Sequence, residues 1–111
     1  MSVGNREENL MNNPTDPEYA LRSLRRALSG ATHPQLRQAS VEIDATASRV
    51  RVRFEYDGNP EPDILDACQV VSTEVIADFP APWRIDEEHR SVAVPGALAP
   101  LRHVAYSRDA V

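Results

Sequence analysis

The chain has 111 residues, 41% apolar and 26% charged, with a net charge of −5. That length suits one domain with a two-layer core. No run approaches the roughly 20 apolar residues that span a bilayer, and four glycines leave little room for a phosphate-cradling loop.

Residues 1–14 are polar, with Asn5, Asn9, Asn12 and Asn13, and are expected to be a disordered arm without a secretory signal; residues 15–111 form the domain. A first helix is expected after Asp16, which caps open N–H groups, and Pro17, whose missing N–H costs nothing in the first turn. Leu21, Leu24 and Leu28 make its apolar stripe, and Gly30 ends it. Two strands follow. Val41 and Ile43 alternate with Glu42 and Asp44; Val50, Val52, Phe54 and Tyr56 alternate with Arg49, Arg51, Arg53 and Glu55. The short polar link between them predicts a hairpin, with Glu42 and Asp44 facing the arginine row.

Asp57-Gly58-Asn59-Pro60 reads as a turn leading into a long amphipathic helix over residues 60–79, stopped by Pro80 and Pro82. Its apolar side carries Ile64, Leu65, Cys68, Val71, Ser72, Val75, Ile76 and Phe79. Its polar side carries Asp63, Asp66, Gln69, Thr73, Glu74 and Ala77, with Val70 at the boundary. A third strand starts at Trp83 and Ile85. The alternation is lost at Glu87-Glu88-His89, and Val92 and Val94 are read as its continuation beyond a bulge. After a proline-bounded loop, Leu101 to Tyr106 is expected as a last strand with Val104 and Tyr106 inward. The expected fold class is α+β. It is a two-layer sandwich in the order α-β-β-α-β-β, with both helices on one face of a four-stranded, largely antiparallel sheet.

Charge is unevenly spread. Residues 57–88 contain nine acids and one base, Arg84, and carry −8, whereas the remainder carries +3. An acidic half disfavours nucleic acid as the main partner and suits a basic one. All twelve basic residues are Arg. The single cysteine, Cys68, cannot form an internal disulfide, which points to a reducing compartment, most simply the cytoplasm. Its place on the apolar helix face predicts a buried, inert thiol. His33, His89 and His103 show no metal-ligand spacing, so neither a metal nor a cofactor is expected. Glu74 and Asp78 lie one turn apart on the polar face and read as solvated rather than catalytic. The chain is therefore not expected to be an enzyme.

Phe54-Glu55-Tyr56-Asp57-Gly58, followed by the run from Ala67 through Cys68, Glu74, Val75, Ile76, Ala77, Asp78 and Phe79 to Pro80, resembles a group of small bacterial proteins. They share an F-x-Y/F-D-G turn and a similar helix end, and Leu28, Gly30, Leu36 and Val41 fit as well. The likeness covers roughly residues 19 to 106 and departs in the proline-rich third strand and tail. The group is the immunity proteins that neutralise toxins of contact-dependent growth inhibition and related polymorphic systems. The resemblance implies a non-enzymatic protein that binds a cognate toxin domain, typically a nuclease. Charge and position, rather than the resemblance, nominate the contact residues: Asp57, Asp63, Asp66, Glu74, Asp78, Asp86, Glu87 and Glu88, with Trp83 as an aromatic anchor. Two alternatives are a small RNA-binding or enzymatic domain using Arg49, Arg51 and Arg53, and a subunit that self-associates through an open sheet edge.

Overall fold

In a computed structural model, residues 13–109 are described; most of the arm expected over residues 1–14 lies outside them. Helix α1 spans Pro17–Leu28. Asp16 caps it by accepting the Glu18 N–H at 3.0 Å, and Gly30 takes φ +81° just past its end. Strands β1 (Leu36–Asp44) and β2 (Arg49–Tyr56) form the expected hairpin. Leu36, Ala39, Val41 and Ile43 pair with Tyr56, Phe54, Val52 and Val50. β1 starts five residues before Val41. Arg37 sits in a bulge between Leu36 and Gln38, and that extra residue hides the alternation from the sequence.

Helix α2 spans Pro62–Ala77, shorter at both ends than residues 60–79. Proline explains both limits. Glu61 and Phe79 each precede a proline, whose ring disfavours helical backbone in the residue before it. Glu61 is extended, with ψ 149°, and Asp78 closes the other end. Strand β3 spans Arg84–Ser91 and β4 spans His103–Ser107. β3 continues unbroken through Glu87-Glu88-His89 and stops before Val92 and Val94, which join the crossing loop instead. It is an edge strand, so its charged side chains reach solvent without leaving the ladder.

The sheet order is β3-β2-β1-β4. β1 pairs antiparallel with β2 and β4, whereas β2 and β3 are parallel. The parallel pair follows from the connection, since a helical crossover returns the chain in the same direction. α1 packs on β1 and β4, and α2 on β2 and β3, so the two helices cover one face as expected. Between the layers lies one core built on Leu24, Leu28, Leu36, Val41, Val50, Val52, Phe54, Tyr56, Cys68, Val71 and Val75. Val104 does not face inward as the alternation suggested; it is 39% exposed, whereas Ala105 and Tyr106 pack against the core. The cause is a register shift, in which Ala39 pairs with Tyr106 but Ser40 pairs with Val104, leaving Ala105 as the extra residue.

Residues 92–102 cross the sheet face opposite the helices and join the two edge strands. Polar side chains fasten this crossing. Arg37 Nη1 donates to the carbonyls of Val92 and Gly96, at 2.6 and 2.9 Å. Arg53 Nη1 donates to Ala99 O at 2.5 Å, Ala99 N–H to Glu55 at 2.7 Å and Leu101 N–H to Ser40 at 2.8 Å.

Candidate protein-binding surface

The nine residues nominated from charge and position do not share one face. Asp63, Asp66 and Glu74 stand on the exposed side of α2. Asp86 and Glu88 are on the opposite side of the molecule, on the outer sheet face. Glu87 is on the helix side of β3, Asp57 follows β2, and Asp78 and Trp83 follow α2. The reason is the pleat of β3: successive side chains alternate faces, so three consecutive acids cannot form one patch.

The outer carboxylates are occupied. Asp86 pairs with Arg49 at 3.3 Å. Glu88 pairs with Arg51 at 3.2 Å and with Arg53 at 2.6 Å, and Arg51 also holds Glu42 at 2.6 Å. The guanidinium groups, Arg53 foremost, hold the Glu88 carboxyl below the usual glutamate range. Glu42 meets the arginine row as expected, whereas Asp44 instead accepts the Ala47 N–H of the hairpin turn at 3.2 Å, and the other carboxylates of the row come from β3. The row therefore presents a mosaic of both signs rather than a positive strip. Asp57 accepts the Val94 N–H at 3.0 Å and pairs with Arg108 at 3.4 Å; the backbone N–H, then Arg108, lowers its pKa. Asp78 accepts from Ser23 Oγ at 2.6 Å and from Arg26, and the Tyr19 hydroxyl donates to its carbonyl. It ties α1 to the end of α2.

The side of α2 away from the sheet is different. Its sixteen residues include three acids and no base. Asp63, Asp66, Gln69, Val70, Thr73, Glu74 and Ala77 are all exposed. They recur at helical spacing along one stripe. Asp66 and Glu74 make no ion pair among the described residues, and Asp63 bonds only the Ile64 N–H beside it. Val70 lies between Asp66 and Glu74, four residues from each, and is 55% exposed, the most of any large apolar side chain described. Val70 stands at the boundary of the two faces in the sequence pattern, and its i±4 spacing from both carboxylates is the signal that joins it to the acidic stripe.

Trp83 is half-buried and packs against Phe79 with ring centroids 5.2 Å apart, which makes it part of the core margin. One polar chain was not foreseen. The Tyr56 hydroxyl lies 2.7 Å from His89 Nδ1, and His89 Nε2 lies 2.6 Å from Glu87. Glu87 only accepts, so in the neutral imidazole Nε2 carries the proton and Nδ1 accepts from Tyr56. His89 also stacks on Phe54 and Tyr56. Cys68 is buried as expected, and burial pushes its thiol pKa up, which makes it a poor nucleophile. The parallel register that sets His89 beside Phe54 had no sequence signal. Among the described residues no three His, Cys, Asp or Glu side chains are placed to hold a metal ion, and no helix is long and apolar enough to cross a membrane.

The model of the MafI2 immunity protein family matches residues 17–110, and the chain belongs to that family. The match takes in both helices and all four strands. Family membership supports an immunity role, implies a cognate toxin as partner and fits a protein without catalysis of its own. A search of curated proteins finds no match.

Proposed function

We propose that this protein neutralises its toxin by direct contact through the exposed face of α2. The observation that carries the reading is the stripe of Asp63, Asp66 and Glu74 around the exposed Val70. An apolar centre within a charged rim is the arrangement of a protein-recognition surface. Carboxylates that make no ion pair among the described residues attract a basic partner at long range, and such steering raises association rates about 10–10³-fold. The toxin that fits is one with a basic surface, such as the substrate cleft of a nuclease. A tight one-to-one complex would then cover that cleft. The engaged arginine row weakens the RNA-binding alternative, since its positive charge is largely met by Glu42, Asp86 and Glu88.

Co-expression with the C-terminal domain of the toxin encoded beside this gene tests the reading. Protection of the cells and co-purification of an equimolar complex are expected. Killing undiminished by the protein, together with no complex, would refute it.

A further inference from the structure

The C-terminal end of α2 breaks a local electrostatic rule. The last turn of a helix carries partial negative charge and favours cations. Here it has no basic residue; instead Glu74 lies in that turn and Asp78 caps it. One base from the other helix, Arg26, compensates in part by bonding Asp78. Asp78 Oδ2 takes both Ser23 and Arg26, leaving Oδ1 without a partner among the described residues.

These carboxylates line an open groove between α1 and α2 of about 420 Å³, with Ser23, Arg26, Ala27 and Ala77 as its other walls. Ala27 and Ala77 are what leave the space: a larger side chain at either position would fill it. The groove continues the acidic stripe, since Glu74 belongs to both. It combines a negative helix end, two carboxylates against one guanidinium, and small apolar walls along which the stem of a long side chain lies.

We propose that this groove receives one long basic side chain, an arginine or lysine, from the bound toxin. The stem rests on Ala27 and Ala77, and the cationic head reaches Glu74 and Oδ1 of Asp78. This deepens the reading of α2 as the toxin-binding face and rests on it. A desolvated anchor of this kind acts mainly on dissociation, whereas the Asp63 and Asp66 carboxylates act mainly on encounter.

The test measures association and dissociation rates with the toxin domain by surface-immobilised binding. Four variants are compared: Ala77→Leu, Ala27→Leu, Glu74→Gln and the double reversal Asp63→Lys with Asp66→Lys. Thermal melting checks that each is folded; Glu74 is exposed, so Glu74→Gln tests the groove without touching the core. The expected result is dissociation at least about tenfold faster for the two filled grooves and for Glu74→Gln, with the largest slowing of association in the double reversal. Wild-type dissociation in the groove variants, with the double reversal still slow to associate, overturns the groove and leaves the α2 face standing. Loss on filling but not in Glu74→Gln means an uncharged occupant and also overturns the proposal. Absence of any complex with the unaltered protein overturns the α2 reading and the groove together.

Discussion

Tyr56 is fully buried, yet its hydroxyl has a partner in His89 of the edge strand, whose Nδ1 lies 2.7 Å away. Burial raises its pKa first and foremost, so it remains a donor throughout the working pH range. Tyr56→Phe removes that donor and leaves the ring in place. A loss of about 1–2 kcal/mol is expected, because His89 Nδ1 is left without its partner; urea unfolding of the two proteins measures it. Glu88 gives a pH signature. Its folded pKa lies below the ordinary 4.5, so its ion pairs with Arg53 and Arg51 stabilise the fold fully above that value. The contribution is lost as pH falls below 4.5 through the lowered pKa. Glu88→Gln should therefore lower stability at neutral pH and flatten its decline in acid, as followed by thermal melts between pH 3 and 7 (about the window in which carboxylates titrate).

Among elements, the crossing of residues 92–102 has the least apolar support. Leu101 is its one buried side chain, and side chains of the sheet supply the rest of the attachment through hydrogen bonds. Arg37→Met keeps the stem but leaves two carbonyls without their donor. A cost of about 1.5–3 kcal/mol is expected for bonds from a charged group, with faster proteolysis within residues 92–102 as the local readout. The helices and the hairpin were legible because amphipathic spacing, Asp16-Pro17 and the alternation of Val50 to Tyr56 are local signals. The parallel direction of β3 was not, since its alternation is the same in either direction and only the crossover decides it. The bulges at Arg37 and Ala105 were hidden for the converse reason: one extra residue shifts the phase that sequence reading relies on.

At the scale of the molecule, an acidic half-chain does not make an acidic half-surface. Residues 57–88 are divided by the fold between two sides of the sheet. On the strand side they meet the arginines of β2 and are neutralised; on α2 they meet none among the described residues. The sequence identified the acids and the helix, and so Asp63, Asp66 and Glu74. It had no means of separating them from Asp86 and Glu88, because the cancelling arginines are more than thirty residues away in sequence. The family match implies a cognate toxin as partner, and the remaining acidic face is the surface proposed to meet it. The most direct test is the association rate with the toxin domain as a function of ionic strength, for the unaltered protein and for the triple reversal Asp63→Lys, Asp66→Lys and Glu74→Lys. Fast association that slows with salt, and slower association with a weakened salt dependence in the triple variant, is the expected result. Identical rates and salt dependence in the two proteins would contradict the assignment of the toxin-binding face to α2.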